Sequence, residues 1–231
     1  MDLWIITHPH IDHYGAALEI SSRAELRARV RVNRVLFCLP SDTFAAEKKN
    51  IGKRDLPNVR AIPENFGTPA YHAAGDCYFT DDVKTEVLAT CEDLTDPCDA
   101  NECSMISRVS VAGQTILFLG DAYALPCRRL AARMGGALKS DFCQLAHHAL
   151  NGGATELYRL VKPKVALIPM AFPAYEDMRF GSHKYKSGTR HNRRVMAVMP
   201  EKCQWISAAG DRVVPLPYDF SEWNEKNFPD T

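Results

Sequence analysis

The sequence predicts a mixed α/β fold formed by one domain over residues 1–231, and three observations support this prediction. Short apolar runs alternate with amphipathic stretches along the chain, which is typical of strands mixed with helices. Turn-forming residues separate several neighbouring apolar runs, which indicates hairpins. No internal repeat or low-complexity linker divides the 231 residues. Because of the hairpins, the class is α/β or α+β rather than a doubly wound parallel sheet.

The first half of the chain is predicted to contain two buried strands, each followed by a helix. Ser41 and Asp42 can cap the second helix, because their side-chain oxygens accept hydrogen bonds from its first turn. Residues 51–80 carry Gly, Pro and Asn at intervals and are predicted to be rich in loops. The strands are expected at residues 3–7 and 34–39, and the helices at residues 15–30 and 43–49.

The second half is predicted to continue with further strands and helices. Hairpin turns are expected at residues 111–114 and 209–211, where Ala-Gly pairs separate two apolar runs. The strands are expected at residues 85–90, 104–111, 115–119, 165–169, 203–207 and 212–215, and the helices at residues 122–134, 157–161 and 190–199.

Composition argues against several classes of protein. Lys+Arg and Asp+Glu number 28 each, so no net charge draws the chain to nucleic acid or anionic lipid. No apolar run reaches the roughly 18 residues that a membrane-spanning helix needs, and residues 1–7 lack the basic start of a signal peptide. We therefore expect a cytoplasmic protein with no membrane partner. The eight cysteines are scattered without a CxxC pair, which favours buried or idle thiols over a disulfide scaffold.

Charge is distributed unevenly along the chain. Residues 76–102 contain nine acidic residues and one Lys, whereas residues 179–194 contain six Lys or Arg, two His and no acid. Either run is explained most simply as a solvated surface. The basic run also fits a rim that binds phosphate, since Arg and Lys are the side chains that recognise phosphate oxygens.

A cluster of metal-ligand residues follows the first predicted strand. Alternate residues of an extended loop project to one side, so His8 and His10 can chelate one ion, while Asp12 and His13 turn toward a second position. Imidazole together with carboxylate suits zinc, or else manganese or iron. The alternative is a set of polar residues that begins a helix and holds no metal. The four side chains fall within six residues, in the run Thr7-His8-Pro9-His10-Ile11-Asp12-His13.

Further ligands are expected where later apolar runs end. Asp121 follows Gly120 at the end of a predicted strand, and a carboxylate there can bridge two cations. His147 and His148 also follow an apolar run and form the second histidine cluster of the chain. Such a pair is often incidental, but beside the first cluster it indicates a role at the metal. His183 is a further candidate.

The order of these motifs resembles the metallo-β-lactamase superfamily, in which HxHxDH precedes a strand-end Gly-Asp and a late His. Finer features resemble the branch that contains the hydrolase domain of the competence protein ComEC and related phosphoesterases. That branch has an Asn-x-x-Ser stretch before the hairpin that leads into Gly-Asp, then a His-His pair, a Pro-x-x-Ala strand and a Gly-His-Pro-like element. These features are matched, in part, by residues 101–104, 147–148, 163–166 and 181–183.

The resemblance covers residues 3–215 and implies an αββα sandwich with a dinuclear metal site at one edge of the sheets. Two divalent metal ions are expected, with zinc as the first choice and manganese or iron as alternatives. His8 and His10 would hold the first ion and Asp121 would bridge the two. The second ion would be held by Asp12, His13 and His148.

The implied reaction is hydrolysis by a hydroxide that bridges the two ions. The catalytic residues would be Asp12, His147 and His183, and either of the two histidines could protonate the leaving group. A phosphodiester, as a small molecule or as nucleic acid, is the favoured substrate. The alternatives are a lactone, thioester or small phosphoester hydrolysed on the same site, or a non-catalytic metal-binding module. Phosphate contacts are expected from Lys184, Lys186, Arg190 and Arg193.

Three features depart from the pattern of the superfamily. Hairpins normally precede the first motif, whereas here the motif starts at residue 7, so we expect a fold that lacks those N-terminal strands. No histidine lies between His72 and His147, so the third histidine that many members use for the first ion is missing and that ion should be held more openly. Ala149 replaces a Gly and is expected to tighten the loop beside His148.

Overall fold

Strands and helices are mixed in the computed structural model, which confirms the predicted α/β class. The structure describes residues 1–47, 50–68, 74–94, 99–170, 194–195, 197–199, 204–206 and 213–222. The strands are β1 (Trp4–Ile6), β2 (Val35–Phe37), β3 (Cys77–Thr80), β4 (Val83–Ala89), β5 (Ile106–Val111), β6 (Gln114–Phe118), β7 (Phe142–Gln144), β8 (Val165–Ile168) and β9 (Gln204–Ile206). The helices are α1 (Ile11–Ser22), α2 (Ala24–Arg27), α3 (Asp42–Glu47), α4 (Asp55–Phe66), α5 (Ala124–Met134) and α6 (Thr155–Val161).

The described strands form two sheets. In the smaller sheet, β1 pairs in parallel with β2. The larger sheet has the order β3-β4-β5-β6-β7-β8-β9, antiparallel from β3 to β6 and parallel from β6 to β9. Because parallel strands run in the same direction, β6, β7 and β8 all end at one edge of the sheet. The residues that follow these three strands therefore meet there.

The sheets and helices stack in four layers, as the predicted αββα sandwich requires. One face of the small sheet, including Ile6 and Val35, packs against α1 and α4. The alternate residues of β1 and β2, such as Leu36, pack against the large sheet, because successive side chains of a strand point to opposite faces. The other face of the large sheet, including Ile106 and Leu117, packs against α5 and α6.

The predicted turn between β5 and β6 is confirmed. Val111 pairs with Gln114, so the loop has two residues. Ala112 and Gly113 both have positive φ angles, of 50° and 73°. This is the backbone that a two-residue hairpin needs to match the twist of its strands.

The prediction of a loop-rich segment over residues 51–80 is wrong in its centre, where α4 forms. The buried side chains of Leu56, Val59 and Ile62 recur every three positions and give the helix its apolar stripe. Pro63 lies inside the helix, and Gly67 ends it in a left-handed conformation. The burial of this stripe against α1 therefore outweighs the proline that argued against a helix.

The predicted hairpin between residues 203–207 and 212–215 is also wrong. β9 pairs in parallel with β8, and residues 213–215 form no strand. Half of the helix expected at residues 190–199 lies outside the described residues. Among the helices that the structure describes, none is long and apolar enough to cross a membrane.

Candidate metal centre

The first ligand motif spans the end of β1 and the start of α1. His8 follows β1, and its side chain is completely buried. α1 begins four residues earlier than predicted, at Ile11, so Asp12 and His13 lie in its first turn. An acidic side chain is favourable there, because the unpaired amides of a helix N-terminus carry partial positive charge. The helix start therefore sets Asp12 and His13 beside each other.

Asp121 reaches the same place from the end of β6. Gly120 has a φ of +54°, and a Cβ at this position would lie only 3.0 Å from the Cβ of Thr7. Glycine is therefore needed to let the end of β6 approach the end of β1 so closely. The Asp121 side chain is buried, and its backbone N–H donates to Ser104 Oγ at 3.1 Å.

His147 and His148 follow β7 in an unusual backbone conformation. Together with Ala149 they have positive φ angles of 51°, 53° and 59°. Each such residue costs about 1–2 kcal/mol when it is not glycine. Ala149 thus has the positive φ that glycine adopts most readily. Strain of this kind is concentrated at functional sites, where the surrounding structure enforces it.

Hydrogen bonds of the imidazoles define which ring nitrogen faces the site. His148 Nδ1 donates to the carbonyl of Pro169, which follows β8, at 3.0 Å. His10 Nε2 donates to the carbonyl of Asn50, also at 3.0 Å. Because a carbonyl only accepts, the opposite nitrogen of each neutral ring carries a lone pair. The lone pairs of His148 Nε2 and His10 Nδ1 are therefore available to a cation.

Four ligand side chains converge at the edge where these strands end. His13 Nε2 lies 3.2 Å from Asp121 Oδ2, and His148 Nε2 lies 3.2 Å from Asp12 Oδ2. All four ligand atoms lie within 4.8 Å of one another. Donors bound to one zinc ion at about 2.0–2.2 Å are separated by comparable distances. The four side chains are therefore close enough to bind one divalent cation.

The buried nitrogen His13 Nε2 indicates whether a cation would fit at this place. His13 Nε2 is buried and has no hydrogen-bond partner, although a carboxylate oxygen lies close to it. Buried polar nitrogens are almost always satisfied in folded proteins. A cation held among these four side chains would satisfy this nitrogen, so the residues fit a metal.

His8 and His10 form a second pair of donors beside the group of four. His8 Nε2 lies 3.0 Å from His10 Nδ1 and 3.9 Å from Asp121 Oδ2. Two nitrogens at this separation can chelate one ion. Asp121 thus adjoins both donor sets, although His8 and His10 are not part of the group of four.

Burial and neighbouring charges shift the pKa values of His8 and Asp121 toward the forms that bind metal, and that of His13 away from the metal-binding form. Burial and the neighbouring His13 lower the pKa of His8 to about 3, so this imidazole is neutral. Burial raises the pKa of Asp121, but His13, His8 and His148 outweigh it and the net pKa is lowered. Burial likewise opposes protonation of His13, but Asp121 and Asp12 outweigh it and its net pKa is raised. Because a metal binds the neutral imidazole, the raised pKa of His13 works against metal binding.

A family model described as the metallo-beta-lactamase superfamily matches residues 2–171. The chain belongs to this superfamily. The predicted membership is confirmed, and the match includes every described residue of the candidate centre. Members of the superfamily typically bind divalent metals, in agreement with the donor set at the strand ends.

Several solved structures are similar to this chain. A variant of the β-hydroxylase CmlA has 15% identity and a TM-score of 0.47, over 80% of this chain and 41% of that protein. The metallo-beta-lactamase fold protein YhfI from Bacillus subtilis has 10% identity and a TM-score of 0.46, over 88% and 73%. Igni18, a metallo hydrolase from the archaeon Ignicoccus hospitalis, has 15% identity and a TM-score of 0.43, over 80% and 73%.

The match with CmlA spans less than half the length of that protein. None of the curated proteins matches this chain significantly in sequence.

Two further histidines were expected at the site of this superfamily member. His147 Nε2 lies 3.8 Å from Asp121 Oδ2, and its Nδ1 donates to Asn151 Oδ1. It thus borders the centre but is not in the group of four. His183 lies outside the described residues, as do the four basic residues Lys184, Lys186, Arg190 and Arg193.

The structure also adds residues that the sequence reasoning did not assign. The resemblance pointed to residues 101–104, and these do adjoin the centre through Ser104. Asn101 Nδ2 donates to the hydroxyl of Tyr123 at 2.8 Å, and the Tyr123 ring lies 5.3 Å from that of His147. Thr7 Oγ1 lies 3.1 Å from His8 Nδ1 and 3.3 Å from His13 Nδ1. The signal in the sequence that could have indicated Tyr123 is its position two residues after Asp121.

Proposed function

We propose that this chain is a metal-dependent hydrolase that cleaves phosphodiesters at the strand-end centre. The observation that carries this proposal is the convergence of four ligand atoms around the unpartnered His13 Nε2. Two imidazoles and two carboxylates from three separate parts of the chain have no other evident reason to lie within 4.8 Å of one another.

The proposed assignment gives each ion its own donors. Asp12, His13 and His148 would hold one ion, and the pair His8 and His10 would hold the other. Asp121 adjoins both sets and would serve both. Zinc is the first choice for this mixture of imidazole and carboxylate, with manganese and iron as alternatives. When bound, divalent cations supply Lewis acidity that activates water at neutral pH.

His147 is proposed as the residue that gives a proton to the leaving group. Its Nδ1 is held by Asn151, so the ring has a fixed orientation, and its side chain is 20% exposed. Nε2 therefore faces the centre from a position that a substrate can reach. An imidazole whose orientation is fixed and which a substrate can reach suits general acid catalysis. His183 is the alternative donor, and Asp12 is proposed to act in catalysis as well as in metal binding.

The phosphodiester preference rests on two features. Asn101 and Ser104, which carry the resemblance to the ComEC-like branch, lie beside the centre through Tyr123 and Asp121. The basic run over residues 179–194 supplies cations for phosphate oxygens. Lys184, Lys186, Arg190 and Arg193 are proposed to contact the substrate, which is a small phosphodiester or a nucleic acid.

Substrate comparison tests the reaction class. The purified chain should be supplied with zinc, manganese or iron and given bis(p-nitrophenyl) phosphate, a chromogenic lactone and a thioester in parallel. We expect metal-dependent hydrolysis of the phosphodiester and loss of that hydrolysis in Asp121→Ala. Turnover of the lactone or thioester alone would place the chain in another hydrolase class. Binding of metal without turnover of any substrate would indicate a non-catalytic module.

A triple variant tests the basic run. Lys184, Lys186 and Arg190 should be changed to Gln together, and cleavage of a single-stranded oligonucleotide compared with that of the small phosphodiester. We expect loss on the oligonucleotide alone. Each lost phosphate contact should lower the slope of log affinity against log salt by roughly 0.7–0.9. Equal activity on both substrates at every salt concentration would reduce the run to a solvated surface.

A further inference from the structure

Two buried cysteines meet at the junction of the two sheets. Cys38 directly follows β2 of the small sheet, and Cys91 lies two residues beyond the end of β4 of the large sheet. Their sulfur atoms are 3.2 Å apart, although 53 positions separate them in sequence. Both belong to the apolar cluster between the sheets. The fold thus brings two thiols into direct contact across a layer boundary.

The sulfur separation is short enough for a bond to form with little movement. A disulfide bond measures about 2.05 Å, so the two sulfurs need to approach each other by roughly 1 Å, which side-chain rotation can supply. The described cysteines form no disulfide, so these two side chains are thiols. Cys127 and Cys143 are also buried, but no sulfur–sulfur contact joins them.

A cavity gives small molecules a route to the pair. It has a volume of about 410 Å³ and is lined by Cys91 together with Leu39, Ser41, Phe44 and Glu92. The residues that directly follow Cys38 thus form one wall and Cys91 forms another. Cys91 is 7% exposed and Cys38 is completely buried. A reagent that enters the cavity therefore reaches Cys91 before Cys38.

We propose that Cys38 and Cys91 are a redox-active pair that closes into a disulfide joining the two sheets, with a small hydroperoxide as the oxidant. The site is independent of the metal centre and of the proposed hydrolysis. When the pair is oxidised, a covalent bond should join the two sheets. When it is reduced, only noncovalent packing should hold them together.

The oxidation is balanced by reduction of the hydroperoxide. The Cys91 sulfur, as thiolate, attacks one peroxide oxygen; the O–O bond breaks, and hydroxide leaves and takes up a proton as water. The Cys38 sulfur then attacks the sulfenic sulfur of Cys91; the S–O bond breaks, and a second hydroxide leaves as water. Two thiols lose two electrons and two protons in total, and hydrogen peroxide becomes two water molecules.

The two sulfurs differ in how readily they lose a proton. The hydrogen bond from Cys91 and a contact with Thr90 outweigh burial and lower the pKa of Cys38, while the same bond and burial raise the pKa of Cys91. Cys91 can therefore attack as thiolate only after its proton passes to Cys38 across the 3.2 Å between the two sulfurs. Thiolate, rather than thiol, is the form that reacts with peroxide and with sulfenic acid.

The test uses the full chain with the substitution Cys77→Ser, because Cys77 is the exposed cysteine among those that the structure describes and could form disulfides between molecules. The protein is treated with a small excess of hydrogen peroxide, denatured, alkylated and digested with trypsin. We expect the loss of two thiols per chain and a covalent link between Cys38 and Cys91. Cys98 and Cys103 share the tryptic peptide of Cys91, so fragmentation must assign the bridge. The thermal unfolding midpoint should rise and should return after reduction by dithiothreitol.

Matched variants separate the pair from the other buried thiols. Cys127→Ala, in the same background, should still lose two thiols, whereas Cys38→Ala should form no bridge. In Cys38→Ala, a sulfenic-acid probe should label Cys91. The proposal is overturned if peptide mapping of the Cys77→Ser protein shows both sulfurs alkylated after peroxide treatment. It is equally overturned if the bridge maps to Cys98 or Cys103. This mapping needs no change at Cys38 or Cys91, so it stands even if those variants do not fold.

Discussion

The two ends of the same three parallel strands, β6, β7 and β8, differ in how their polar groups are paired. At the amino ends, Asp141 accepts hydrogen bonds from the backbone N–H and the hydroxyl of Thr115 and forms an ion pair with Lys164 at 2.9 Å. Its backbone carbonyl accepts from the amides of Lys164 and Val165. One aspartate therefore joins the starts of all three strands.

The carboxyl ends of these strands show the opposite arrangement. Asp121 follows β6, His148 follows β7, and the carbonyl of Pro169 follows β8. Imidazoles and carboxylates crowd together there, and His13 Nε2 is left without a partner. A satisfied polar network stabilises a fold, whereas a crowded and incompletely satisfied one is suited to a ligand. We therefore expect the amino ends to contribute to stability and the carboxyl ends to bind a ligand.

The largest effect on metal binding is expected from removal of Asp121, at the carboxyl ends of the strands. In Asp121→Ala, both donor sets lose the carboxylate that they share, so we expect loss of bound metal. Because outer-shell residues alone change metal affinity or activity by 10–100-fold, kcat/KM should fall by roughly 100-fold or more. Circular dichroism should show a retained fold, because the substitution removes one carboxylate from a crowded cluster of polar side chains. Retention of two metals with normal turnover would remove Asp121 from the site.

For Asp141, at the amino ends of the strands, we expect a loss of stability and no loss of metal. Asp141→Asn weakens the contacts with Thr115 and Lys164 and should lower the free energy of unfolding by about 1–2 kcal/mol. Lys164 is 55% exposed, so the ion pair adds little to this figure. Urea unfolding followed by fluorescence measures the change. Metal content should equal that of the wild type, and a variant that lost metal would break the division between the two ends.

The contribution of Asp141 to the free energy of unfolding should be lost in acid. Burial raises the pKa of Asp141, but Lys164 and Thr115 outweigh it and the net pKa is lowered in the folded chain. A lowered carboxyl pKa gives stability that is present above the unfolded value, about 3.9, and is lost as pH falls through the folded value. The difference in unfolding free energy between wild type and Asp141→Asn should be constant from about pH 5 to pH 8 and shrink below about pH 4. A difference that grows in acid would contradict this sign.

A smaller effect on metal binding is expected from Asp55, which acts on His10 through the loop that contains Asn50. Asp55 accepts from the N–H of Gly52 at 2.6 Å and from the hydroxyl of Tyr14 at 2.8 Å, and so fixes the loop whose Asn50 carbonyl orients His10. Asp55→Asn should weaken the ion at His8 and His10 by roughly 10-fold and leave the other ion unchanged. Competition titration with a chromogenic chelator resolves the two affinities. Equal loss at both sites would mean a general structural defect.

The sequence was sufficient to predict the parts of the molecule that depend on local pattern. The HxHxDH run, the strand-end Asp121 and the pair His147-His148 were predicted from residue type beside apolar runs, and the structure brings them together. The layers followed from the resemblance. α4 was missed because Pro and Asn in its sequence suggest loop, while the burial that stabilises it comes from α1, which is a tertiary effect.

The orientation of the site could not be predicted, because it depends on groups distant in sequence. The carbonyls of Asn50 and Pro169, which select the ring nitrogens of His10 and His148, lie 40 and 21 positions from the histidines that they orient. Backbone carbonyls carry no sequence pattern. The boundary of α1 was misplaced because a glycine within it, Gly15, was taken as its start. The expected division of the six ligands between two ions remains a prediction.

We expect the carboxyl ends of β6 and β7, with the start of α1, to hold a divalent metal. Anomalous diffraction from zinc-loaded crystals tests it most directly, because it locates the ion without reference to activity. We predict a strong anomalous peak enclosed by Asp12, His13, Asp121 and His148, and a weaker one beside His8 and His10. A fully occupied zinc ion bound elsewhere, with no peak among those four side chains, would contradict the account.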